Sequence, residues 1–155
     1  MLRKQKDILS LLRGGQKMFK TTMIEYFENM LHSQPKVDNF NMSQREIVVL
    51  VGDGQNVDFI RNTLCKLCQG YESKLGLEYR FNDSTKIFAI IKRCKDKIYM
   101  IRIYVRMTDT MDLQGIRPDI IVAYGSFLAE QVRVMLKFIQ KNSYKADLEV
   151  QFFNR

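Results

Sequence analysis

Apolar positions along the chain switch repeatedly between a helical and a strand period. Ile8, Leu9, Leu11 and Leu12 stand together among charges and predict a short amphipathic helix in residues 3–13, closed by Gly14-Gly15. Met23, Ile24, Phe27, Met30 and Leu31 then recur at i, i+1, i+4, i+7 and i+8, the stripe of a helix with one buried face, with Thr21 or Thr22 near its start. Residues 32–45 are polar, contain a proline and predict a loop. Glu46–Val51 is a β-branched apolar run stopped by Gly52-Asp53-Gly54, which predicts a buried strand. Val57, Ile60, Leu64, Leu67 and Cys68 return to helical spacing, which Gly70 is expected to end.

Leu77–Phe81 and Lys86–Lys92, joined by the turn residues Asn82-Asp83-Ser84, predict a hairpin. Lys97–Met107 alternates as a strand does, and Ile120–Tyr124 predicts another buried strand. Phe127, Leu128, Val132, Met135, Leu136 and Ile139 mark one face of a helix over 127–139, and residues 148–153 predict a last strand. Helices alternating with fully apolar strands argue for an α/β domain with a mostly parallel central sheet flanked by helices. The expected organisation is a basic N-terminal arm over residues 1–13 and a single domain over 14–155.

Composition narrows the class. The hydrophobic share of 46 % and charged share of 27 % are those of a folded globular chain, and 8 Gly with 2 Pro exclude a collagen-like or linker sequence. The longest apolar runs, such as Ile120–Tyr124, are too short to span a bilayer, so no membrane partner is expected. Three cysteines make a poor disulfide framework, which implies a reducing intracellular setting. The net charge of +8 implies an anionic partner. Cys65-Lys-Leu-Cys68 with Cys94 and His32 would complete a four-ligand zinc set. The helical pattern around Cys65 and Cys68 explains them as buried helix-face residues, and no metal site is expected.

Three stretches carry candidate chemistry. Arg13-Gly-Gly-Gln-Lys-Met-Phe-Lys-Thr21 places Gly14, Lys20 and Thr21 at the spacing of a phosphate-binding loop, G-x-x-x-x-G-K-[ST]. In such a loop backbone N–H groups wrap the phosphates, the lysine neutralises charge and the hydroxyl holds magnesium. Phe19 stands where the second glycine belongs, and its bulk opposes that wrap. The competing reading is a Gly-Gly turn before a basic helix.

Gln114-Gly-Ile-Arg-Pro-Asp-Ile-Ile-Val-Ala-Tyr-Gly-Ser-Phe127 contains an apolar strand that ends in Ala123 and Tyr124. A phosphate-loop ATPase needs an Asp there to orient magnesium and often a Glu to activate water. Asp119 lies at the strand's other end, about 13 Å away at strand rise.

The third stretch, residues 92–106, interleaves Lys92, Arg93, Lys95, Lys97, Arg102 and Arg106 with Tyr99 and Tyr104. Alternation sets Met100, Arg102, Tyr104 and Arg106 on one strand face and Tyr99, Ile101, Ile103 and Val105 on the other. Arginines around an aromatic ring can follow a phosphate backbone and stack on a base, so Lys92, Arg93, Lys95, Lys97, Arg102, Tyr104 and Arg106 are the nucleic-acid-binding candidates. A solvated face whose long cationic stems cover apolar surface is the alternative. Carboxylates such as Asp53, Glu78 and Asp83 leave a metal-dependent nuclease open. The pairs Asp109/Asp112 and Glu25/Glu28 read as solvated, and no catalytic residue is assigned.

Taken in order, these pieces resemble the N-terminal ATPase domain of the large terminase subunit, the DNA-packaging motor of herpesviruses and tailed phages. Arg13–Thr21 falls at the family's phosphate loop. Ile47–Val51 with its helix resembles the family's second strand-helix unit, and Phe81–Ile90 resembles the hairpin upstream of the acidic motif. Gln114–Val122 resembles the lead into the acidic strand, and Ala123–Leu128 resembles the acidic motif itself, with the family's next helix after it.

The resemblance implies a phosphate-loop-like α/β domain, with Arg13, Gly14, Lys20 and Thr21 as nucleotide-binding positions. Ala123 and Tyr124 at the magnesium and catalytic positions imply a relative that does not hydrolyse ATP. Lys20 and Thr21 leave room for weak ATP binding at most. The implied function is that of a viral nucleic-acid-associated or assembly protein, in the host cell or the virion. Its implied partners are nucleic acid, DNA first, and other viral assembly proteins. A small metal-dependent nuclease and a structural partner-binding protein with a filled nucleotide cleft are the alternatives.

Overall fold

Five consecutive residues at the middle of the sheet, Ile47, Val48, Val49, Leu50 and Val51, are wholly inaccessible to solvent. Burial on both faces is what a β-branched run without alternation demands, and each such side chain contributes on the order of 1.5–3 kcal/mol. They belong to β1 (Met42–Val51), the hub of a six-stranded sheet in a computed structural model that describes residues 22–32, 42–52, 54–82, 84–94 and 97–153.

The other elements, in chain order, are α1 (Met23–His32) before β1, then α2 (Gly54–Leu75), β2 (Leu77–Asn82), β3 (Ile87–Cys94), β4 (Lys97–Met107), β5 (Ile120–Tyr124), α3 (Ala129–Asn142) and β6 (Glu149–Phe153). The strand order is β2-β3-β4-β1-β5-β6. β4, β1, β5 and β6 run parallel, and the β2-β3-β4 end is an antiparallel meander. The expected mostly parallel α/β architecture is present.

Two cores sit on opposite faces. On the first, α1 buries Met23, Phe27 and Leu31, and α2 buries Ile60, Leu64 and Cys68, against Ile47, Val49, Val51, Phe88, Ile103 and Ile120. On the second, α3 buries Met135, Phe138 and Ile139 against Val48, Leu50, Ile121, Ala123 and Phe152. The parity of each strand sorts its residues between these layers. Asp119 ties the starts of β5 and β6 to the middle of β1. Its carboxylate accepts the Glu46 N–H (3.0 Å) and pairs with Lys145 (3.2 Å), its N–H donates to the Glu46 carbonyl, and its own carbonyl accepts the Glu149 N–H.

Several boundaries differ from the expectation. Residues 42–45 are strand rather than loop, because β1 pairs with β4 from Met42↔Ile98 onward and a backbone ladder needs no apolar side chains. The 54–75 helix runs through Gly70, whose missing side chain faces open space. One exposed helical glycine costs about 1 kcal/mol against alanine, too little to stop a helix held by its buried stripe. The stop falls instead at Gly76, with φ of +62°. Ile24 is exposed because it lies about 100° around the helix from Met23. Leu128 is exposed because it precedes α3 in extended conformation and does not share the helix's apolar face.

Candidate functional site

The four parallel strands finish on one line. Val51 is in register with both Met107 and Tyr124, and Tyr124 with Phe153. In open α/β sheets ligands bind beyond these carboxyl ends, where successive connections leave in opposite directions. Here that point lies between β1, whose helix leads toward the β2 edge, and β5, whose helix leads toward β6.

Short contacts knit the line together. Thr108 gives both its N–H and its hydroxyl to the Val51 carbonyl, each at 3.0 Å, and is buried. The Gly125 N–H donates to the Phe153 carbonyl. Gln131 is a two-way clip. Its Oε1 accepts the Leu128 N–H at 2.8 Å, and its Nε2 donates to the Gly52 carbonyl at 2.6 Å. Gly52 itself lies so close to the next loop that a Cβ added there would stand 2.4 Å from the Ser126 carbonyl oxygen. None of Thr108, Gln131 or Gly52 has a sequence signal for this role, since each acts on a segment distant in the chain.

β5 brings no carboxylate to this end. Ala123 is buried, and the Tyr124 ring stacks on Phe59 of α2, with centroids 5.7 Å apart and planes 14° from parallel. Met111 after β4, Phe59 after β1 and Leu128 after β5 are exposed at the same end. The phosphate-loop candidates Arg13, Gly14, Lys20 and Thr21, with Phe19, lie outside the described residues. Thr22, just beyond them, caps α1 by accepting the Glu25 N–H on its hydroxyl.

The residue 92–106 candidates divide between two faces. Arg93, Arg102, Tyr104 and Arg106 share the face that α3 covers farther along the sheet, and Lys92 and Tyr99 lie on the α2 face. Lys95 lies outside the described residues, and Lys97 is described only as the first residue of β4. Cross-strand register adds a residue that the one-strand reading missed: Arg80, Ala89, Arg102 and Glu46 form one row across β2, β3, β4 and β1.

Tyr104 is the centre of this group. The Arg102 and Arg106 guanidinium carbons stand 5.6 and 5.5 Å from its ring centroid. Its hydroxyl donates to Glu46 at 3.2 Å, and burial, with the Glu46 carboxylate second, raises its pKa above the ordinary tyrosine value. Arg106 donates to the carbonyls of Lys86 and Val105, which leaves the guanidinium held in place. The ion pairs here are loose or exposed. Arg102–Glu46 is 3.7 Å, and Arg93–Glu78 is 3.1 Å with both side chains about half exposed. Pairs of this kind contribute little to stability.

Among the described residues no group of His, Cys, Asp and Glu is placed to hold a metal. Glu78 pairs with Arg93, and Asp109 and Asp112 accept the N–H groups of Met111 and Met107 as turn-forming residues. Asp53 and Asp83 lie outside the described residues. Cys68 is buried and Cys65 half-buried on one helix, as their spacing indicated. No described helix is long and apolar enough to cross a membrane.

The fold is similar to that of the ATPase domain of phage large terminases. The chain is similar in structure to the ATPase domain of the Thermus phage P74-26 large terminase (TM-score 0.53, 12 % identity, covering 70 % of this chain and 47 % of that one). It is also similar to the large terminase of a second, thermophilic bacteriophage in complex with ADP (TM-score 0.53, 14 % identity, covering 87 % and 30 %). The chain thus spans about half of the first and under a third of the second. At these identities the likeness is one of fold. No protein-family model and no curated protein sequence matches the chain.

Proposed function

We propose that this chain is a viral nucleic-acid-associated or assembly protein built on a phosphate-loop, terminase-type ATPase domain that does not hydrolyse ATP. The observation that carries the reading is the end of β5. β5, the strand that the sequence resemblance matches to the acidic strand, finishes in Ala123 and in Tyr124 stacked on Phe59. Neither side chain can orient magnesium or activate water. The second of the two neighbours was solved with ADP. Arg13, Gly14, Lys20 and Thr21 are the residues of this chain that would meet a nucleotide's phosphates, with weak affinity because Phe19 replaces the close-packing glycine.

The nucleic-acid half of the reading is supported by the +8 charge and by the arginines around Tyr104. Its test is the affinity for a labelled DNA oligonucleotide across a salt series. The expected result is a linear fall of log K with log salt, with a slope of about −0.7 to −0.9 per phosphate contact. An affinity that stays flat from about 50 to about 200 mM salt overturns it.

A further inference from the structure

Among the described residues, the meander end of the sheet has one face covered by a helix and one that no helix covers. On the α2 side Leu77, Phe88, Ile90, Ile103 and Val105 are buried. On the opposite side no residue of β2, β3 or β4 is buried, and no described helix lies over them. That open face has a defined make-up. Ile87, Ala89, Ile91 and Met100, all half-buried, form an apolar floor between Arg80, Arg93, Arg102 and Arg106, with Tyr104 at the boundary with the α3 core. Four arginines outweigh Glu78 and Glu46, so the face is net cationic as well as apolar.

We propose that this open face is a platform for single-stranded nucleic acid, an inference that rests on the nucleic-acid reading above and names the form and the footprint. Charge complementarity commits the face to a polyanion. Geometry chooses the single strand. A three-stranded surface within a wider sheet is flat, and it is too broad to enter a duplex groove as a helix or a two-stranded ribbon does. Bases splayed from a single strand need flat π surfaces and apolar floor, which the Tyr104 ring, the arginine planes and the Ile87–Ala89–Ile91 row provide. Arg102 and Arg106 sit two residues to either side of Tyr104, each step advancing about 6.7 Å along the strand, so cations alternate with the stacking ring. Glu46 holds the Tyr104 hydroxyl, and two backbone carbonyls hold Arg106, so part of the ordering cost is met before binding.

The test uses the full chain, a labelled 20-nucleotide oligothymidylate and a 20-base-pair duplex, with poly-glutamate as competitor. The single strand should bind at least tenfold more tightly than the duplex. Arg102→Gln with Arg106→Gln should weaken it at least tenfold and make the salt slope shallower by about 1.4, the share of two single-strand contacts. Tyr104→Leu should weaken binding about tenfold, and Tyr104→Phe, which keeps the ring, should change it less than twofold.

Arg133→Ala with Lys137→Ala removes the same charge from the exposed side of α3 and should leave binding within twofold. Equal loss from the α3 pair, equal affinity for the duplex, or displacement by poly-glutamate at matched charge would each overturn the platform. Salt-sensitive binding untouched by Arg102→Gln with Arg106→Gln overturns the platform alone. Absence of binding to either oligonucleotide overturns the nucleic-acid reading with it. Unchanged thermal midpoints of the glutamine variants establish that they are folded.

Discussion

Phe88→Ala is expected to cost about 3–5 kcal/mol of unfolding free energy, the range for removing a fully buried phenylalanine. Phe88 has no exposed surface, and its ring meets Phe81 at 4.9 Å and Tyr79 at 6.3 Å between centroids. It stands opposite Ile103 on β4 and Phe81 on β2, so it binds the whole meander to the α2 layer. A cavity at that point cannot collapse easily, because the backbone on either side is tied into the ladder. Denaturant titration of the wild type and the variant checks it, and a loss under about 1 kcal/mol, below the whole range for such a truncation, would show that the meander does not depend on this ring.

Gly52→Ala is expected to cost about 2–3 kcal/mol, at the upper end of what overpacking exacts. The new Cβ, which has no torsion to turn it away, would stand against the backbone carbonyl oxygen of Ser126. Relief requires the β1 end to move away from the β5–α3 loop, which lengthens the 2.6 Å bond from Gln131 to the Gly52 carbonyl. Gly70→Ala is the internal control. Nothing lies within 4 Å of its added Cβ, and helix propensity there favours alanine by about 1 kcal/mol. The two substitutions should therefore move the denaturation midpoint in opposite directions. A Gly52→Ala midpoint equal to that of the wild type would mean that the strand ends are not held as tightly as Thr108, Gln131 and Gly52 indicate.

The fold was legible in the sequence wherever a side-chain period carried the information. β5 was visible at its full length because all its residues are apolar, and β4 because its two faces alternate. The ends that failed to show are those set by the backbone or by distant segments. Residues 42–45 are strand because β4 offers them a ladder, and the helix that passes Gly70 ends where Gly76 adopts positive φ.

The candidate sites divide in the same way. Alternation along β4 put Arg102, Tyr104 and Arg106 together, and the structure agrees. The same stretch also drew in Lys92, which strand parity turns to the other face. Arg80 entered only through cross-strand register, and the Gln131 clip only through the meeting of β1 and α3. What the end of β5 lacks was legible at once, since it is a matter of residue identity: Ala123 and Tyr124 are not acids.

Those two residues carry the proposal that the domain does not hydrolyse ATP, and steady-state hydrolysis by the full chain with magnesium, in the presence and absence of DNA, is the sharpest test of it. The expected result is no turnover above the buffer background, for the wild type and Lys20→Ala alike. Magnesium-dependent turnover by the wild type that Lys20→Ala abolishes would show that the domain is a working ATPase after all.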